Sequence, residues 1–82
     1  MLVDMRQCVV ERLLQLCDER RLTINGLAHV SGIAPSTVKN IVNGVSKNPG
    51  VVTIKKLCDG LDISVTEFFN TDTFRTLEQE IR

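Results

Sequence analysis

The apolar positions of the chain fall into short runs at helical spacing, and no run alternates as a half-buried strand would. The longest periodic run predicts a first helix over residues 4–20. Residues 51–54 form the one β-prone stretch, and it is too short and too isolated to build a sheet. The pattern therefore predicts an all-α protein.

Capping and breaking residues divide the middle of the chain into two short helices. Thr23 can cap a second helix over residues 24–30, which ends at Gly32 because glycine adopts a left-handed backbone without steric cost. Pro35 suits the first turn of a third helix, since its fixed φ is already helical. Asn43-Gly44 ends this helix, and a loop over residues 45–50 follows.

Three further elements are predicted toward the C-terminus. A fourth helix covers residues 51–60, and the capping box formed by Ser64 and Glu67 opens a fifth. A final stretch over residues 72–81 places three apolar residues along one side if it is helical: Phe74, Leu77 and Ile81. Phe68 and Phe69 of the fifth helix, together with Phe74, are predicted to lie in the core.

The 82 residues leave room for one domain. We assign residues 1–70 to it and residues 71–82 to a C-terminal tail or short helix with a candidate role in dimerisation. No apolar run is long enough to span a bilayer, and the first residues lack the pattern of a signal peptide. These features indicate a small cytoplasmic protein without a membrane segment.

The three cysteines Cys8, Cys17 and Cys58 are odd in number and widely spaced, and His29 is the single histidine. Zinc sites need paired ligands at short spacing, and disulfide frameworks need an even count, so we interpret these residues as ordinary helix-face thiols. A redox-sensing thiol is the alternative. No catalytic constellation or phosphate-binding glycine loop is present, which predicts a protein that is not an enzyme and has no cofactor, metal or evident small-molecule ligand.

The formal net charge of zero conceals an uneven distribution. Residues 1–22 hold four basic and four acidic side chains, residues 23–58 hold four lysines and no acid, and residues 59–82 hold six acids and two arginines. A segment without acids followed by an acidic end favours one face that meets a polyanion and another that is turned away from it.

One block within the acid-free segment has the spacing of a helix-turn-helix unit. Ala28, Gly32, Val38 and Ile41 follow each other at separations of four, six and three. The alanine is small where two helices cross, the glycine lies in the turn, and the last two residues form the inward side of the second helix. The outward positions of that helix are then Pro35, Ser36, Lys39, Asn40 and Asn43.

The segment over residues 13–69 resembles the phage-repressor and Cro type of helix-turn-helix domain, the XRE family of transcriptional regulators. The matching features, in order, are Leu13, Leu16, the link over residues 20–23, Leu27-Ala28, Gly32-Ile33, Ser36-Thr37-Val38, Asn43-Gly44, Pro49 and residues 61–64. The resemblance implies a five-helix lambda-repressor-like bundle, with or without a short extra C-terminal helix. It also implies binding to double-stranded DNA as a homodimer on two half-sites about one helical turn apart.

The resemblance further implies roles for individual residues. Pro35, Ser36 and Asn40 occupy positions where family members contact base edges, and an asparagine can pair with adenine through two hydrogen bonds. Phosphate contacts, which position without specifying sequence, are implied for Thr23, Thr37, Lys39, Asn43, Lys47 and Asn48.

The chain departs from the family pattern at several positions. Ile24 stands where Gln is frequent, Val42 replaces a common Glu, Cys17 replaces a frequent Arg, and Pro35 removes a side chain that could contact a base. Two hypotheses therefore stand: a DNA-binding regulator, most simply a repressor, or a protein-interaction module of the same fold, such as an antirepressor or antitoxin, with little DNA affinity. For dimerisation, the stripe formed by Phe74, Leu77 and Ile81 is the candidate surface, unless it folds back onto the core.

Overall fold

The computed structural model describes residues 4–81, and over that range the chain is all helical without a strand. The helices are α1 Met5–Glu19, α2 Ile24–Ser31, α3 Pro35–Val42, α4 Val51–Gly60, α5 Val65–Phe69 and α6 Asp72–Arg75. This confirms the predicted all-α class with a short extra C-terminal helix. Residues 1–3, at the start of the segment assessed as lacking a signal peptide, and Arg82, counted with the tail, lie outside the described residues.

Side-chain caps begin four of the six helices described, and those of α2 and α5 were predicted from the sequence. The Asp4 side chain accepts a hydrogen bond from the Gln7 backbone N–H at 2.8 Å and so begins α1 one turn before its first buried residue. At the start of α5, the backbone N–H of Glu67 donates to Ser64 Oγ at 3.0 Å, and the Ser64 N–H donates to Glu67 Oε1 at 3.4 Å. The predicted capping box is thereby confirmed.

The core joins the apolar faces of the first five helices. Leu13, Leu27, Leu57 and Phe68 are fully buried and come from α1, α2, α4 and α5. Helix α2 packs against both α3 and α4, α1 packs against α3, and α5 packs against α4. The position of α3 is therefore set by the two helices that it contacts.

The C-terminal stretch differs from the prediction. Only α6 is helical, and it ends at Arg75, so Phe74, Leu77 and Ile81 do not share one helical side. The Phe74 ring packs instead on Phe68 and Phe69, with centroid distances of 6.2 and 5.0 Å, because these rings offer it a partly buried aromatic contact. Ile81 is 86% exposed. The alternative that the stripe folds back onto the core holds for Phe74.

The three cysteines are buried and free. Within residues 4–81 no group of three or more His, Cys, Asp or Glu side chains is placed to hold a metal ion. Over the same residues no helix is both long and apolar enough to cross a membrane.

Candidate nucleic-acid interface

Helix α3 presents a polar face on an apolar support. Val38 and Ile41 are 0% and 1% exposed and fix the inner side of the helix in the core. Ser36, Asn40 and Asn43 are exposed, and their spacing of four and three residues places them in one row along the outer side. Pro35, Thr37 and Lys39 are also exposed and flank this row. All six predicted positions on α3 or at its end are thus accessible.

The turn between α2 and α3 fixes the angle of the outer helix. Ala28 is fully buried where the helices meet. Gly32 adopts a left-handed conformation with φ of +65°, and the Ile33 backbone N–H donates to the Ala28 carbonyl at 3.0 Å. A side chain at position 32 would have space, so the backbone conformation is what favours glycine here.

The loop after α3 is attached to the last turn of that helix. Gly44 reverses the chain with φ of +80°, and the backbone N–H groups of Val45 and Ser46 both donate to the Asn40 carbonyl at 2.9 Å. Lys47 and Asn48 follow directly and are exposed. The loop therefore holds these two predicted phosphate contacts beyond the C-terminal end of α3.

Thr23 lies apart from α3, at the N-terminus of α2. Its Oγ1 accepts a hydrogen bond from the Gly26 backbone N–H at 2.9 Å, which confirms the predicted cap. The side chain is exposed, and the first amides of α2 carry the positive end of the helix dipole. An anion at this end would meet backbone donors as well as the threonine hydroxyl.

Three of the four departures from the family pattern fall in or against the core, while the fourth, Pro35, is exposed at the start of α3. Cys17 is 4% exposed, and Ile24 and Val42 are partly buried and pack against the core cluster. These residues contribute apolar contacts where Arg, Gln and Glu are frequent in the family. The polar chemistry of the candidate interface is therefore supplied by the other residues of α3 and of the following loop.

The charged residues near α3 in the sequence are basic. No acid interrupts residues 23–58, although Lys55 is paired with Asp59 on α4. Two arginines are engaged elsewhere: Arg12 of α1 donates to the carbonyls of α5, and Arg20, which follows α1, donates to the Leu61 carbonyl at 3.0 Å. The lysines on and directly after α3 are Lys39 and Lys47, both within this acid-free span.

Sequence reasoning missed Arg6, in the first turn of α1. An alanine Cβ at position 44 would lie 3.2 Å from Arg6 Nη1, so the guanidinium lies beside Gly44 at the end of α3. The sequence gives no spacing signal for this approach, because Arg6 precedes the segment that resembles the family and is 38 residues away from Gly44.

The exposed face offers hydrogen-bonding chemistry rather than catalytic chemistry. Asn40 and Asn43 carry amide donors and acceptors, Ser36 and Thr37 carry hydroxyl groups, and Lys39 carries a cation. These groups protrude on a two-turn helix, and the major groove of B-DNA, about 12 Å wide, admits an α-helix.

Comparison with known families and curated proteins gives concordant matches. The Cro/C1-type HTH DNA-binding domain matches residues 12–73. The HTH-type transcriptional regulator SlrR of Bacillus subtilis (strain 168) is 35% identical over 66 residues, which are 79% of this chain and 43% of that protein. The HTH-type transcriptional repressor RghR of the same strain is 43% identical over 53 residues, 65% of this chain and 39% of the repressor. The chain thus spans less than half the length of either relative.

Solved structures show the same arrangement of helices. The crystal structure of the prophage Lp1 protein 11 superposes with a TM-score of 0.79 at 38% identity, covering 94% of this chain and all of that one. The SinR protein/SinI protein complex gives a TM-score of 0.69 at 26% identity over 88% of this chain and 69% of the matched chain. These matches agree with a small lambda-repressor-like fold.

Proposed function

Since this chain belongs to the Cro/C1-type helix-turn-helix DNA-binding domain family, we propose that it is a sequence-specific transcriptional regulator that inserts α3 into the major groove of double-stranded DNA. The observation that carries this proposal is the exposed polar row on α3, held outward by the buried Val38 and Ile41. A rigid support matters because base readout depends on side chains held in a fixed position relative to the groove.

Base contacts are assigned to Pro35, Ser36 and Asn40, the first, second and sixth residues of α3. Asn40, in the middle of the row, pairs with an adenine edge, and Ser36 one turn earlier accepts more than one base. Pro35 makes an apolar contact at the start of the helix, since it has no polar side-chain atom. This division gives Asn40 the largest share of the discrimination between sequences.

Phosphate contacts are assigned to the residues that surround these three base-contacting positions. Thr37 and Lys39 flank the row on α3 and Asn43 is its last member, while Lys47 and Asn48 extend from the loop anchored to the Asn40 carbonyl. Thr23 acts with the amides at the start of α2 on the other side of the turn. These contacts set the register of α3 on the duplex without selecting a sequence.

We also propose that two copies bind two half-sites. One copy of this small domain makes few phosphate contacts, and a second copy doubles them and thereby steepens the salt dependence. A repressor role is supported by the 43% identity to the HTH-type transcriptional repressor RghR. Phe74 of the predicted C-terminal stripe packs on its own chain, so a contact between two copies through this stripe would rest on Leu77 and Ile81.

Selection of bound duplexes from a random library tests DNA binding, sequence preference and half-site spacing together. The expected product is a pair of related half-sites about one helical turn apart. Fluorescence anisotropy on the selected duplex should then show log affinity falling linearly with log salt concentration. A chain that binds no duplex at low salt would refute the proposal.

An interaction with another protein is the second candidate function. Val45, Val51 and Val52 are 69%, 84% and 66% exposed, in the loop after α3 and at the start of α4. The similarity to a chain of the SinR protein/SinI protein complex also favours this possibility. A stoichiometric protein partner that duplex DNA fails to displace would support it, whereas displacement by duplex would support the first proposal.

A further inference from the structure

A groove of about 480 Å³ lies between the start of α1, the loop after α3 and the start of α4. Met5, Val9, Val51, Ile54 and Phe69 contribute to its apolar wall, and Arg6, Lys47 and Asn48 line its polar part. Lys47 and Asn48 are already assigned to phosphate contacts. Arg6 therefore shares a groove with two residues of the proposed interface, although it comes from another element.

The position of this groove relative to α3 is fixed on two sides. The loop is held by the hydrogen bonds from Val45 and Ser46 to the Asn40 carbonyl. The Arg6 guanidinium lies beside Gly44, with Nη1 3.2 Å and Cζ 4.0 Å from the position of a Cβ there. Because Gly44 has no side chain, the guanidinium can approach the turn that ends α3.

The groove holds both cations and carboxylates, and its Arg6 guanidinium is available to bind an anion. Within residues 4–81 the Arg6 guanidinium takes part in no hydrogen bond or ion pair, so its donors are available. Two carboxylates also line the groove: Asp4, which accepts the capping bond from the Gln7 N–H, and the exposed Glu80. The groove therefore contains two cations, Arg6 and Lys47, and two carboxylates, of which Asp4 is engaged in capping α1.

We propose that Arg6 is a further DNA contact, binding a backbone phosphate together with Lys47 and Asn48 at the C-terminal end of α3. This inference rests on the proposed function and adds to it a contact from outside the helix-turn-helix unit. The planar guanidinium fork matches two phosphate oxygens, which a lysine ammonium cannot do in the same way. The contact is independent of sequence, because phosphates carry no base information.

The test compares Arg6→Gln, Arg6→Lys and the unsubstituted chain by anisotropy over a range of salt concentrations. Arg6→Gln should weaken binding about tenfold at low salt, equally on the selected and a random duplex, as expected for one charge-assisted contact. The slope of log affinity against log salt should become shallower by about 1. Arg6→Lys should keep most of the salt dependence and lose less affinity than Arg6→Gln, because the positive charge remains although the planar guanidinium is lost.

Lys56→Gln on α4 is the matched control, since it removes the same charge from an exposed residue outside the groove. It should leave affinity unchanged, and thermal unfolding of Arg6→Gln should match that of the unsubstituted chain. Equal losses in Lys56→Gln and Arg6→Gln, or unchanged binding by Arg6→Gln, would overturn the Arg6 contact alone. An unsubstituted chain that binds no duplex would remove the proposed function and this contact with it.

Discussion

At the residue scale, the closest approach between two helices depends on a glycine. A Cβ on Gly60 would lie 2.2 Å from Ser31 Oγ and 3.0 Å from both the Cα and the N of Ser31. The C-terminal ends of α4 and α2 therefore meet with backbone nearly in contact. Ser31 Oγ is buried there and finds no hydrogen-bond partner among the described residues.

We expect Gly60→Ala to destabilise the fold by about 1–3 kcal/mol, because the new methyl group must push α4 away from the backbone of Ser31. This loss exceeds the gain of up to about 1 kcal/mol that alanine brings to a helix. Urea unfolding followed by circular dichroism measures the difference.

Two controls separate this contact from general effects. Gly26→Ala is the matched glycine, with no contact shorter than 3.2 Å, and should cost much less than Gly60→Ala. Ser31→Ala should be neutral or stabilising, since it removes an unpaired buried hydroxyl. Gly60→Ala should still destabilise the Ser31→Ala variant, because two of the three contacts are to the backbone; full rescue would show that only the hydroxyl matters.

Asn40 is the residue on which sequence discrimination should depend. Asn40→Ala should reduce the preference for the selected site over random duplex by about 1–3 kcal/mol, because a bidentate base contact is lost. Asn43→Ala, in the same exposed row, should weaken both duplexes by the same factor, as a phosphate contact would. Anisotropy on the two duplexes distinguishes these outcomes, and a uniform loss with Asn40→Ala would contradict its role in base readout.

At the element scale, Arg12 of α1 and Arg20, which follows α1, donate hydrogen bonds to carbonyls at the ends of other helices. Arg12 Nε donates to the Phe68 carbonyl at 2.8 Å, and Nη2 donates to the Glu67 carbonyl at 2.9 Å. Arg20 acts in the same way on the Leu61 carbonyl at the end of α4. The last carbonyls of a helix have no hydrogen-bond partner within that helix. These bonds therefore attach α5 to α1, and the end of α4 to the residue that follows α1.

Arg12→Met should destabilise the protein by about 1.5–3 kcal/mol, because the Phe68 carbonyl is partly buried and would lose a charged donor. Chemical denaturation measures the loss. Gln15→Ala removes only the exposed side-chain partner of Nη1 and should cost little. Equal effects of the two substitutions would mean that Arg12 does not act through α5.

Helix caps and the turn at Gly32 were predicted correctly, whereas two further left-handed residues were not. The caps at Thr23 and Ser64 and the left-handed Gly32 agree with the structure, because each depends on residues within one turn. Arg21 and Asp62 also adopt positive φ, of 54° and 58°, after α1 and α4. These residue types give no clear signal of a left-handed conformation, since side chains usually disfavour it.

At the scale of the whole molecule, the core keeps its thiols out of solvent. Cys8, Cys17 and Cys58 are 1%, 4% and 0% exposed, and burial raises the pKa of each thiol. A redox switch needs an accessible thiolate, and these residues have neither exposure nor a lowered pKa. The interpretation as ordinary core thiols is therefore the one that the fold favours.

The raised thiol pKa predicts a loss of stability in alkali. The folded chain holds its thiol protons to higher pH than the unfolded chain, so the thiol contribution is complete below about pH 8.5 and falls above it. Around Cys58, burial is the main cause of the raised pKa; Asp59 adds to it, while Lys55 and Arg12 oppose it. Urea unfolding between pH 7 and 10 should show this decline.

Cys58→Ala is the comparison for this measurement. It should lower stability at pH 7, because it leaves a cavity, yet its decline toward pH 10 should be shallower. Lysine deprotonation contributes equally to both chains, so the difference in slope reports the thiol. Identical slopes would show that Cys58 does not titrate differently in the folded and unfolded chains.

The sequence by itself determined the helical class and the outward row of α3. It also determined the bounds of the first four helices to within about a residue or two. Helical periodicity and caps are local, and Val38 and Ile41 fix which side of α3 faces inward wherever the helix packs. The position of Thr23 at the start of α2 followed in the same way from its cap.

Only the tertiary structure decided what depends on residues far apart in the chain. Arg6 reaches Gly44, and Gly60 meets Ser31. A local sequence pattern does not predict such contacts, because each arises from the angle at which two packed elements cross. Packing in three dimensions thus brought Arg6, Lys47 and Asn48 to one groove, a proximity that helical periodicity alone does not indicate.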